Sequence, residues 1–287
     1  MSRGCVFRSG WGCAALRCLF LGFAMLLPKI AQATLIQVSY GNAGIQVADN
    51  AALCAGTSVC VLGTENFDAR TTANLTAGFT SNFGLSGGQT ITGAYTADAT
   101  AQTGTNLLNS AANQYGGAGG TGKYPQLFSG SHTITLASNG IPGLNYFGIW
   151  VSALDAANMI KFYNGSTLLY TFTPTTMITA INARGNRTAY YGNPNNMTQN
   201  TGEPYAFVSF FALDGLFDKL VISNAGGSAF ESDNHTVGYR NPNIAIGNLF
   251  AVPEPGAMLV LPVFVLAILG LQFAQSSQVV SAPCLRT

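Results

Sequence analysis

The chain predicts an all-β fold, an antiparallel two-sheet sandwich that is jelly-roll-like, with an N-terminal signal peptide and a C-terminal transmembrane helix. Three observations carry this reading. Short aromatic and β-branched runs recur along the chain, with Gly, Asn, Asp and Pro between them. Two of these runs flank Asn164-Gly165, whose tolerance of positive φ predicts a type I′ hairpin. Between the two ends of the chain, no segment carries the apolar period of a long amphipathic helix.

The N-terminus comes first. Arg3, Arg8 and Arg17 precede the apolar stretch Cys18 to Leu27, Pro28 ends it, and Ala31-Gln32-Ala33 supplies small residues. That is a secretory leader over residues 1–33, with cleavage between Ala33 and Thr34. The protein is therefore expected to be exported.

Residues 34–250 form the exported domain, long enough for one sizeable core. Strands are expected at Leu35 to Ser39, Gln89 to Tyr95, His132 to Leu136, Asn145 to Leu154 and Met159 to Tyr163. Others are expected at Ser166 to Phe172, Tyr205 to Ala212, Phe217 to Ser223 and Ala229 to Val237. The sequence Ala-Leu-Asp at 153–155 and 212–214 reads as a shared strand-exit turn. Two long loops remain. Thr96 to Ser131 is rich in Ala, Gly, Asn and Thr, with one helical turn near Leu107. Thr173 to Pro204 carries Tyr190 and Tyr191, on which sugar rings could stack; the alternative is a polar loop covering a sheet edge.

Cysteine usage fits export. Cys5, Cys13 and Cys18 leave with the leader, and Cys284 lies near the C-terminus, so the domain keeps Cys54 and Cys60. A disulfide between them is favoured over free thiols in an oxidising compartment. Two cysteines with no neighbouring His pair are too few for structural zinc.

Charge bounds the partners. Charged residues make up 8% of the chain. Removing Arg3, Arg8, Arg17 and Lys29 from the twelve Lys+Arg leaves eight against eleven Asp+Glu, a net of −3. Nucleic acid, which needs a basic face, is excluded.

Candidate chemistry is sparse. Strict alternation in Phe230-Glu231-Ser232-Asp233-Asn234-His235 would put Glu231, Asp233 and His235 on one outward strand face. A solvated charged face is the default reading. The functional variant is Glu231 or Asp233 joining loop carbonyls in a calcium site; no other cofactor is expected. Gly117 to Gly122 spells a dinucleotide fingerprint, yet it follows no clear strand and opens no helix. His132 and His235 are the two histidines, and no hydrolase nucleophile motif is present. The expectation is no enzyme, although a glycosidase needs no more than two facing carboxylates.

The C-terminal region, 251–287, carries the most specific signal. Val252-Pro253-Glu254-Pro255-Gly256 is followed by an uncharged apolar run from Ala257 to Ala274, about long enough for a membrane helix. This tail resembles the sorting signal of exosortase-dependent (PEP-CTERM) bacterial surface proteins, with Pro253, Glu254 and Pro255 as the sorting residues. Tyr115 to Lys123, Asn145 to Asn158 and Phe217 to Gly238 also look like segments of one subgroup of that family. The resemblance implies a sorting enzyme of the exosortase type as partner and membrane attachment through the C-terminal helix before sorting. It also implies an envelope with exopolysaccharide, and a place at the cell surface or in the extracellular matrix. It supplies no catalytic residues. Where that family has several arginines after the apolar run, this chain has Gln275-Ser276-Ser277-Gln278 and a lone Arg286.

The expectation is an exported surface or matrix protein with a structural or adhesive role, glycan binding included. The alternatives are a surface polysaccharide-active enzyme and a single-pass envelope protein held permanently by its tail.

Overall fold

β1 (Ile36–Tyr40) lies between β11 (Ala206–Ala212) and β14 (Phe250–Ala251), so the beginning and end of the domain share one sheet edge. The computed structural model describes residues 34–56, 59–71, 78–85, 88–97, 105–109, 115–226, 228–240 and 250–252. The leader with Ala31 and Ala33, the Pro253-Glu254-Pro255 motif and the apolar run at 257–274 lie outside the described residues. Among the described residues, no helix is long and apolar enough to cross a membrane.

The remaining strands are β2 (Val61–Glu65), β3 (Phe79–Ser81), β4 (Thr90–Ala97), β5 (Thr105–Asn109), β6 (Lys123–Leu127) and β7 (Gly130–Asn139). They continue with β8 (Tyr146–Ser152), β9 (Asn158–Asn164), β10 (Thr167–Phe172), β12 (Lys219–Asn224) and β13 (Phe230–Tyr239). All pair antiparallel, in two sheets. One runs β14-β1-β11-β8-β13-β6-β5, with β2 also paired to β13; the other runs β10-β9-β12-β7-β4-β3. Within this sandwich, β11-β8-β13-β6 faces β10-β9-β12-β7, the strand order of a jelly roll.

The predicted hairpin is β9–β10, but its turn sits one residue later. Asn164 pairs with Thr167, so Gly165 and Ser166 form the turn. Gly165 takes φ +57°, and its N–H donates to both carboxylate oxygens of Asp218, at 2.8 and 3.0 Å.

Both regions read as long loops contain regular structure. Within 96–131 lie β5 and β6, where a helical turn was expected near Leu107. Pro125 hides β6 in the sequence, since a proline inside a run argues against a strand. Within 173–204 lies α2 (Pro174–Asn182), which starts on Pro174 and buries Met177 and Ile181, four residues apart.

The inter-sheet core is aromatic. Phe162 packs 4.9 Å from Phe210 and 5.4 Å from Phe217, and Phe147 lies 6.0 Å from Phe210. Fully burying each such ring contributes roughly 1.5–3 kcal/mol.

The outer face of the first sheet is also covered. Leu53, on the short helix α1 (Asn50–Cys54), packs with Tyr146 and Phe211, and Trp150 packs with Tyr205 and Phe207. Asp49 caps α1 by accepting from Ala52 N at 2.9 Å, and a Cys54–Cys60 disulfide closes the loop behind it.

Candidate functional site

One end of the first sheet gathers chain segments far apart in sequence. Gln126 is the penultimate residue of β6, Glu231 the second of β13, Asp155 follows β8 and Glu203 precedes β11. With Tyr115, Phe128, Ala153, Ser228 and Ala229 they line a cleft of about 560 Å³.

Strand register explains the convergence. Glu231 pairs with Gln126 on one side and Ser152 on the other. Their neighbours Phe230, Leu127 and Val151 belong to the inter-sheet core, so alternation turns Glu231, Gln126 and Ser152 outward. The layer above keeps them dry: Glu231 is 1% exposed and Gln126 4%.

Gln126 Nε2 donates to Glu231 Oε1 at 2.7 Å, while Gln126 Oε1 is buried without a hydrogen-bond partner. Burial, with the Asp155 and Glu203 charges adding to it, pushes the Glu231 carboxyl up to about 7 against that hydrogen bond. At neutral pH it stands near its midpoint, able to donate or accept a hydrogen bond. Asp155 is held at the rim by Ser228 Oγ and by Ala157 N at 2.7 Å. Phe128 leaves 47% of its surface exposed at the mouth.

The expected outward row of Glu231, Asp233 and His235 is broken by a β-bulge. Asp233 pairs with Trp150 and Thr236 with Gly148, so two residues of β13 face one of β8. Asn234 absorbs the bend at φ +48°. At the same place β13 changes neighbour, from β6 at Phe230–Glu231 to β2 at His235–Tyr239. The extra residue sends His235 into the inter-sheet core and leaves Glu231 and Asp233 on the opposite face. All three are buried rather than solvated.

Asp233 fastens a loop. Its Oδ2 accepts from Ala118 N at 2.8 Å and its Oδ1 from Asn234 N at 2.6 Å. Burial pushes this carboxyl up to about 8, with both N–H bonds pulling the other way. Ser152 Oγ donates to Gly116 O, and Asn195 Nδ2 to Gly117 O. The glycine-rich segment is thus a lid strapped over the sheet. The Ala118 and Gly119 N–H groups, which a phosphate would need, are spent on Asp233 and Gln46.

Among the described residues, no group of three or more His, Cys, Asp or Glu is placed to hold a metal. Tyr190 is 1% exposed and its hydroxyl donates to Gly41 O at 3.1 Å, which makes it a core side chain rather than a stacking platform. Tyr191 is half-buried and donates to Asn182 Oδ1 at 2.6 Å. Neither lines the cleft.

Sequence reasoning missed Tyr115, Gln126, Phe128 and Glu203 as site residues, and took Asp155 for a turn residue alone. Asp155 carried the best signal, an acid placed just beyond the end of a largely aromatic and β-branched strand.

No family model matches the chain, and no curated protein matches it. Among solved structures, the chain is similar to the K2 cleaved adhesin domain of Lys-gingipain (Kgp), at 14% identity and a TM-score of 0.35. The overlap covers 62% of this chain and 97% of that one. At that score neither fold nor role is carried across.

Proposed function

We propose that this chain is an exported bacterial surface or matrix protein that binds glycans through the cleft at the end of its jelly roll. The carrying observation is the lining itself: a buried amide–carboxyl pair, Gln126 and Glu231, beneath an exposed ring, Phe128. Saccharides need this combination. Hydroxyls take hydrogen bonds from fixed polar groups, and the C–H face of a sugar ring packs on an aromatic side chain.

Export is supported by the leader pattern in 1–33 and by the Cys54–Cys60 disulfide, which persists in oxidising compartments. Sorting by an exosortase-type enzyme at Pro253-Glu254-Pro255 is part of the proposal and rests on resemblance. Intact mass of the native protein tests it. Loss of the residues beyond that motif in the surface fraction would support sorting. A chain retaining Arg286 and confined to the inner membrane would make the tail a permanent anchor.

Affinity electrophoresis through gels containing the host's exopolysaccharide tests the binding role. Retardation of the wild type, reduced in Phe128→Ala, would support it; unretarded migration would end it. A second reading, a polysaccharide-active enzyme, is favoured by one observation: a carboxyl raised to about 7 beside two further carboxylates. Release of reducing ends, abolished in Glu231→Gln, would replace binding with turnover.

A further inference from the structure

The cleft is built for a particular charge. Asp155, Glu203 and Glu231 line it, and among the described residues no Lys or Arg does. Asp155 is engaged by Ser228 and by Ala157 N. The Glu203 carboxylate makes no hydrogen bond or ion pair among the described residues. Below it, Glu231 and the buried, unpartnered Gln126 Oε1 present two further acceptors. This is an array of acceptors whose missing partner is a cationic donor.

We propose that the cleft selects saccharides bearing a free, protonated amine, such as glucosamine oligomers, over their N-acetylated forms and over uronic-acid polymers. The inference rests on the glycan-binding reading above. An ammonium group carries three N–H donors, and charge-assisted bonds to carboxylates are about twice as strong as neutral ones. Acetylation removes the charge and two of those donors. A uronate would bring a like charge among the three acids, which repels. Phe128 and Tyr115 favour a sugar over a simple polyamine, because each offers a ring surface that a flexible chain would leave unused. The volume, about 560 Å³, falls within the roughly 300–1,000 Å³ typical of small-ligand sites.

Isothermal titration of the purified full chain with three sugars tests this: a glucosamine tetrasaccharide, its fully N-acetylated counterpart, and tetragalacturonate. The titrations are run at about pH 7, where most of an α-amino-type group is still protonated and Glu231 stands near its midpoint. The expected result is binding of the amine form roughly tenfold or more tighter than the acetylated form, with the gap narrowing as salt is raised. Glu203→Gln should bring the two sugars to within about twofold. Glu203 lies on a partly exposed loop, and an unchanged thermal midpoint would show that the variant is folded.

Equal affinities, or a preference that survives Glu203→Gln in a folded variant, overturn the charge selection and leave the glycan reading standing. Silence with all three sugars overturns both. Binding of a lysine-rich peptide in their place would reassign the cleft to basic protein segments.

Discussion

His132 of β7 and His235 of β13 stack across the two sheets, their ring centroids 6.4 Å apart and their planes 16° from parallel. His235 is paired through both nitrogens, with Tyr95 Oη at 3.2 Å and Ser232 Oγ at 3.0 Å. Both nitrogens of His132 are buried without a partner. Burial holds His132 down to about 4 and His235 well below its ordinary value, with His132 adding to the effect. The core therefore contains two neutral imidazoles.

These rings and the two buried carboxyls oppose one another in pH dependence. Unfolded imidazoles titrate near 6.5 and unfolded carboxyls near 4. Between about pH 4.5 and 6.5 the unfolded chain holds imidazole protons that the folded chain lacks, so these groups make stability rise with pH. Over the same range the folded chain holds protons on Glu231 and Asp233 that the unfolded chain lacks, so these make it fall. At ~1.4 kcal/mol per pH unit for each group, the two effects nearly cancel there. Above about 6.5 the carboxyls act alone. Urea unfolding should show a plateau followed by a loss of roughly 2–3 kcal/mol between pH 6.5 and 8. In Glu231→Gln/Asp233→Asn that loss should disappear, and stability should instead fall as pH drops from about 6.5 to 4. A wild type that gains stability from pH 6.5 to 8 would contradict this assignment.

The Cys54–Cys60 disulfide closes a short loop behind α1, whose Leu53 packs on Tyr146 and Phe211. Loop-closure entropy for so few residues is worth about 2 kcal/mol. Replacing both cysteines by serine should lower unfolding stability by about that amount, read by denaturant titration, with the far-ultraviolet spectrum unchanged. No loss would mean that the cross-link does not restrict the unfolded chain as loop-closure entropy requires.

The bulge in β13 depends on Asn234, which adopts φ +48° and donates from Nδ2 to Gln46 O at 2.9 Å. A β-branched side chain is strained there, so Asn234→Val should destabilise the fold by roughly 2 kcal/mol or more. Asn234→Gly relieves the strain and loses the bond, for a net cost of about 1 kcal/mol. Equal thermal midpoints for the two variants would show that this backbone conformation is not what sets the bend.

The strands that were legible in the sequence are those whose side chains alternate or whose two faces are both covered, such as β8 and β11. β2 (Val-Leu-Gly-Thr-Glu), β3, β5, β6 and β14 were not. All are short, Gly63 interrupts β2 and Pro125 interrupts β6, and they are ordered by pairing with other strands rather than by their own propensity. α2 was hidden because Pro174-Thr175-Thr176 resembles a turn, and three buried residues, Pro174, Met177 and Ile181, are too few to announce a period. The error at His235 is instructive. A strict alternation of two carries side chains faithfully until a bulge adds a residue, and this bulge lies where β13 passes from β6 to β2. The cleft was invisible for a related reason: residues 115, 126, 155, 203 and 231 meet through jelly-roll connectivity, which no local pattern encodes.

The most direct test of the central claim, that the cleft is where this protein meets its glycan, is amide hydrogen exchange with and without bound saccharide. Added protection should be confined to residues 115–128, 153–157, 203–206 and 228–231, with the opposite end of the sandwich unchanged. Protection centred on the Tyr191 loop or the β10 edge would contradict it, as would binding with no protection at the cleft.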